Sequence, residues 1–188
     1  MQYKLLIMPK RTRILFGFLY ILAWIIFIGL CIEAGGFLTN AIFAIANPDT
    51  VKYLYNQVDL TSLFNYDTVH FGIVTGIISI TTMIKAHMFY IIIKTMHDKK
   101  LNLSQPFNAD GRKLISRISW LALAIGLFSV SGIKYSEWLV TQGVTMPDTQ
   151  YLRFGGADVW IFMSIILFIL LQIFKRGIEI QNENDLTV

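Results

Sequence analysis

Four long apolar stretches separated by charged segments limit what this chain can fold into. Residues Ile14–Leu38, Val69–Ile93, Ile115–Tyr135 and Asp158–Phe174 approach or exceed the roughly 20 residues a helix needs to cross a bilayer. The chain is predicted to be an all-α integral membrane protein, one four-span domain over residues 1–188 folded as a four-helix bundle. Charged residues make up only 15% of it, where a soluble domain carries about a quarter. Four spans and their loops leave no room in 188 residues for a separate catalytic domain. The single cysteine, Cys31, excludes an internal disulfide and a cysteine-based metal cluster. Lys4, Lys10, Arg11 and Arg13 precede the first span as they would a signal peptide. Its apolar run is longer than the about 7–15 residues of a signal core, and no clear small-x-small cleavage site follows, so an uncleaved span is expected.

The basic residues set the expected orientation. Twelve of the 16 Lys and Arg precede the first span, flank the second loop (Lys94, Lys99, Lys100, Arg112, Lys113, Arg117) or follow the fourth span (Lys175, Arg176). Lys52, Lys134 and Arg153 fall on the other side, and Lys85 lies within a span. The positive-inside rule then places both termini and the second loop in the cytoplasm. That topology, with anionic lipid headgroups, accounts for the formal charge of +4 without a nucleic-acid surface. Trp120, Trp138 and Trp160 stand near span ends, the depth amphipathic rings prefer.

The outward loop from Thr39 to Thr68 contains a helix-start signal, Asn47-Pro48-Asp49, followed by Val51, Leu54, Tyr55 and Val58 at helical spacing. A short extracytoplasmic amphipathic helix is expected, either anchoring to the membrane face, capping the bundle or acting as a lid. In span two, Ile73, Ile77, Ile80, Ile84 and Ile91 share one side. Gly72, Thr75, Gly76, Ser79, Thr82 and Ala86 form an opposite arc of small and hydroxylated residues, suited to other helices or to a second copy in a homo-oligomer. Helix three should start at Asn108 as its cap. Arg112, Lys113 and Arg117 then oppose the dipole of its N-terminus and need a partner, either lipid phosphate or an acidic protein. The loop from Ser136 to Ala157, with Gly143, Pro147 and Gly155-Gly156, should be irregular.

Ionisable groups inside a span cost about 2.5–3.5 kcal/mol each on insertion scales, so Glu33 and Lys85 are candidate functional residues. Similar depth makes Glu33–Lys134 the leading ion pair. Lys85, placed nearer the cytoplasmic half and so poorly matched in depth to Glu33, could snorkel toward the inner headgroups, form a buried structural pair, or join Thr75, Ser79 and Thr82 in a polar site for an ion or ligand. His87 lacks a second histidine at its depth on another helix, because His70 and His97 belong to the same span. Neither HExxH nor a paired-carboxylate or nucleophile–base arrangement occurs, so no catalytic residue, metal or cofactor is expected.

Two segments carry a resemblance. The loop Leu101-Asn102-Leu103-Ser104-Gln105-Pro106-Phe107-Asn108 and the ending Glu183-Asn184-Asp185-Leu186-Thr187-Val188, together with the spacing of the spans, resemble an uncharacterised bacterial family of four-span membrane proteins, a domain of unknown function. Members are typically encoded beside a small Cro/CI-type helix-turn-helix regulator. The resemblance implies a regulatory pairing in the bacterial cytoplasmic membrane and supplies no catalytic residues. Pro106, Phe107, Glu183, Asp185, Leu186 and Val188 are the candidate docking residues. Alternatively, the acidic tail could clasp Arg112, Lys113 and Arg117 of the same chain. Signalling is therefore the expected function. A small transport, channel or immunity protein using Thr75, Ser79, Thr82 and Lys85 is the alternative.

Overall fold

A computed structural model describes residues 10–47, 51, 58–98 and 107–185. They form α1 (Lys10–Ala46), α2 (Thr61–Tyr66), α3 (Thr68–His97), α4 (Ala109–Thr141) and α5 (Ala157–Asp185). Helices α1, α3, α4 and α5 are long and apolar enough to cross a membrane, as the four apolar stretches predict. The fold is an all-α four-helix bundle in which neighbours follow chain order: α1 packs on α3, α3 on α4, and α4 on α5. Arg11, Arg13, Lys94, Arg112, Lys113, Lys175 and Arg176 gather at one end, called here the basic end; α2 and the segments joining α1 to α3 and α4 to α5 lie at the other, the loop end.

Every long helix overruns its apolar stretch, because helices continue until capped or broken rather than until hydropathy falls. Helix α1 continues to Ala46 instead of Leu38 and runs unbroken through Gly35 and Gly36. Thr39 does not interrupt it, since its hydroxyl donates back to the Gly35 carbonyl at 2.7 Å. Asp67 starts α3 by accepting from the Val69 and His70 amides at 2.5 and 3.1 Å. Asn108 starts α4 as expected, accepting from the Gly111 amide at 2.7 Å. Asp67→Ala should lower stability by about 1 kcal/mol, the usual worth of such a cap, measured as thermal unfolding of the purified protein in detergent.

The core lies toward the loop end. Phe37 and Ala44 of α1, Leu63 of α2, Phe71, Val74 and Ile78 of α3, and Leu139 of α4 pack together with Val51, Val58, Leu152 and Phe154 from the loops. Asn47-Pro48-Asp49 and the amphipathic helix expected after it lie largely outside the described residues. Val51 and Val58, which bracket that segment, are 0% and 2% exposed and belong to this core. Along the spans the helices present Ile14, Phe18, Ile25, Phe162 and Ile173 outward, the surface a bilayer would solvate.

A stripe of small residues on α4 shapes the last loop. Ala122, Gly126, Ser129, Gly132 and Ser136 are all buried. A Cβ at Gly126 would meet the Ile161 side chain at 2.5 Å and the Ala157 carbonyl at 3.3 Å, so α5 begins beside the middle of α4. That is about 22 Å short of Thr141 at 1.5 Å per residue. Residues 142–156 bridge this offset by folding back into the bundle. They are irregular, as predicted, but they do not simply lie outside it: Phe154 is fully buried against Gly132 and Leu152 is fully buried beside it in chain order.

Candidate functional site

Two helix-like turns bring the returning segment to its position. After α4, Gly143 takes φ 85°, and the amides of Gly143 and Val144 donate to the Val140 and Leu139 carbonyls at 3.0 and 3.2 Å. This is a Schellman motif with glycine at the left-handed position. The turn from Asp148 to Phe154 repeats it. The Arg153 amide donates to the Gln150 carbonyl at 3.1 Å and the Phe154 amide to the Thr149 carbonyl at 3.0 Å, but the left-handed residue is Arg153, φ 64°. A non-glycine residue there costs about 1–2 kcal/mol. Its side chain must offset that strain.

The guanidinium does so by pairing with Glu33. Arg153 Nε faces Glu33 Oε1, both atoms are buried, and the Glu33 side chain is 15% exposed. The expected Glu33–Lys134 pair is thus corrected: Arg153 is the partner, and Lys134 is exposed on α4. The depth estimate failed because α1 is longer than its apolar stretch. Tyr20 Oη lies 3.2 Å from His97 Nδ1 and Phe27 packs on Tyr90 with centroids 6.2 Å apart, fixing the antiparallel register of α1 and α3. Continued to Glu33, that register reaches Ile84 and Lys85. Glu33 and Lys85 are therefore well matched in depth, contrary to the sequence expectation.

Lys85 completes the cluster. Its ammonium donates to the Arg153 carbonyl at 3.2 Å and stands 5.9 Å from the centroid of the Trp160 ring. It reaches toward the loop end, not toward the basic end as the snorkelling alternative had it. The reason is local: the Cα–Cβ bond of a helical residue tilts toward the helix N-terminus, and the N-terminus of α3 is at the loop end. Lys85, Gln150, Arg153, Gly155 and Gly156 line an open cleft of about 350 Å³. Two cations and one carboxylate thus meet within the spanning region, at the junction of α1, α3 and the segment leading into α5.

The expected polar site of Thr75, Ser79, Thr82 and Lys85 does not assemble. Thr75, Ser79 and Thr82 are buried, and each hydroxyl donates to a carbonyl of its own helix, Phe71, Thr75 and Ile78 respectively, at 2.8 Å. Lys85 lines the cleft without them. Nor do Gly72 and Gly76 make the close helix contact their spacing implies, for nothing lies within 4 Å of a Cβ at either. Close approach occurs at Gly126 and Gly132 instead. The histidines serve three separate places: His70 is 2.5 Å from Tyr135 Oη, His87 stacks on Tyr90, and His97 meets Tyr20. Sequence reading passed over Arg153, whose signal was the small-residue stripe on α4: it implies that something packs tightly there, and the apolar residues flanking Arg153 are what does.

At the basic end, Phe107 packs edge-on to Phe174 with centroids 5.3 Å apart, and its ring would meet a Cβ at Gly177 at 2.6 Å. Pro106, Leu186 and Val188 lie outside the described residues, as does the Asp185 side chain. Helix α5 continues to Asp185, with Glu183 exposed near its end. Glu179 pairs with Arg176 on its own helix at 3.1 Å, and no ion pair links Glu179 or Glu183 to Arg112, Lys113 or Arg117 among the described residues. The intramolecular clasp is not formed there.

Four membrane-length apolar helices in an all-α bundle define a multi-pass membrane protein. No family model, curated protein or solved structure matches the chain.

Proposed function

We propose that this is a non-enzymatic signalling or regulatory protein of the bacterial cytoplasmic membrane, with both termini and the basic end facing the cytoplasm. The observation that carries the reading is the connectivity of α5. One end of this helix is joined to the segment that places Arg153 against Glu33 and Lys85; the other carries Phe174 and Gly177, on which Phe107 sits. A stimulus that rearranged the charge cluster would move the start of α5, and a rigid helix would deliver that displacement to the Pro106–Phe107 loop and the tail. Those are the segments whose resemblance implies a small helix-turn-helix regulator as partner. The buried hydroxyls of Thr75, Ser79 and Thr82, satisfied within α3, favour this reading over a transport path along that face.

Removing residues 183–188, or substituting Phe107→Ala, should reduce co-purification of a small DNA-binding regulator by about tenfold or more, some 1.4 kcal/mol of interaction. Transcription of that regulator's targets should change with it. Regulator binding and target transcription both unaltered by either change would overturn the proposal.

A further inference from the structure

We infer that the groove between α4 and α5 at the basic end is a binding site for the phosphate-bearing headgroup of an anionic phospholipid. It is independent of the regulatory reading and remote from the Glu33–Arg153–Lys85 cluster. Arg112, Lys113 and Arg117 of α4 and Lys175 of α5 surround a recess of about 410 Å³. Ser116 and Gln172 add neutral donors, and Leu171 gives one wall an apolar surface.

Three observations point to an anion from outside the chain. First, the ion pairs among the described residues are Glu33–Arg153 and Arg176–Glu179, so none of the four groove cations is neutralised by a described carboxylate. Second, Arg112 and Lys113 stand in the first turns of α4, where the helix dipole disfavours cations and attracts anions. Asp110 supplies the acidic residue of that first turn, yet it lies on the helix rather than in the lining of the recess. Third, the groove continues into an apolar seam. Trp120, 62% exposed, stands edge-on to Phe168 with centroids 5.1 Å apart and an interplanar angle of 80°. It lies one helical turn beyond Arg117, where an interfacial ring would meet the glycerol region of a lipid.

Exposed Leu127 on α4 and Ile165 on α5 continue the seam toward the loop end. Cations around a polar recess, then an aromatic ring, then an apolar track reproduce the order of an anionic phospholipid from headgroup to acyl chain. Basic pockets between spanning helices at the cytoplasmic side take such headgroups. Free phosphate shares the headgroup chemistry but has no use for Trp120 or the seam above it.

The test uses the full chain purified in a zwitterionic detergent, with bound lipid counted by native mass spectrometry. The probes are phosphatidylglycerol, phosphatidylcholine and inorganic phosphate. Phosphatidylglycerol should be retained in preference to phosphatidylcholine, and Lys113→Gln/Arg117→Gln should weaken its retention by about an order of magnitude or more. Arg11→Gln/Arg13→Gln removes the same charge from the same end on α1 and should leave retention unchanged. Trp120→Ala should weaken lipid retention too. Should the double groove variant fail to fold, Lys175→Gln from the opposite wall serves in its place. Equal loss in the α1 control would reduce the effect to general surface charge and overturn the site. Full displacement of lipid by inorganic phosphate, with Trp120→Ala silent, would make it a phosphate site and overturn the lipid assignment.

Discussion

Glu33→Ala should destabilise the protein by about 2–4 kcal/mol, although it removes only one carboxylate. The substitution leaves Lys85 and Arg153 facing each other in the spanning region with no counter-charge. Breaking a buried pair from one side costs about 3–5 kcal/mol, because the surviving charge keeps its desolvation penalty. The expected value is shifted about 1 kcal/mol below that range because the Arg153 side chain is 40% exposed to the cleft. Arg153→Gly separates two contributions. It removes the guanidinium but also relieves the left-handed backbone, since glycine adopts φ 64° without steric cost. The Glu33→Ala/Arg153→Gly double variant should therefore be more stable than the sum of the two changes predicts, with a coupling of at least about 1 kcal/mol. Thermal unfolding of the four proteins in the same detergent measures it. Additivity to within about 0.5 kcal/mol would show that the pair does not act as a unit.

The fold was legible because hydropathy reports directly on the cost of exposing a backbone to lipid. Ile14–Leu38, Val69–Ile93, Ile115–Tyr135 and Asp158–Phe174 each became a helix of membrane-spanning length. Asn108 was legible as a cap for a local reason, since capping needs only the chain immediately downstream. The ion-pair assignment needed more than local information. Whether Glu33 meets Lys134 or Arg153 depends on where α1 ends and on the register of three helices. That register is set by contacts such as Phe27–Tyr90 and Trp120–Phe168, which pair residues far apart in sequence. Arg153 stood in a glycine-containing segment, and such segments read as surface connections. The burial of Phe154 beside it follows from the space left by Gly132 on another element, which a loop's own composition does not encode. On α3 the arc of small residues does turn inward, since Thr75, Ser79, Thr82 and Ala86 are buried; Gly72 and Gly76 within it have nothing within 4 Å of a Cβ, because their spacing permits close approach without supplying a partner.

Gly132→Leu should dislodge the returning segment and the charge cluster with it. A Cβ at Gly132 would stand 2.5–2.6 Å from three atoms of the Phe154 ring. Phe154 is 0% exposed, so the ring has no free volume into which to retreat. Alanine alone should cost about 1–3 kcal/mol by overpacking, and leucine more. Since Arg153 precedes Phe154 in the same tight turn, displacement of the ring should withdraw the guanidinium from Glu33. This consequence can be read apart from stability. With Cys31 replaced by serine, a Gln150→Cys reporter in the cleft lining should react faster with a membrane-impermeant maleimide in the Gly132→Leu protein than in its Gly132 parent. Phe154→Ala should partly rescue Gly132→Leu by vacating the colliding volume. Gly72→Ala is the matched control: nothing lies within 4 Å of its Cβ, so it should be neutral or stabilising by up to about 1 kcal/mol through helix propensity. Unchanged reporter labelling in a destabilised Gly132→Leu protein would mean that the segment holds its place without the Phe154 seat. The positioning of Arg153 would then rest on its own turn and on Glu33 alone.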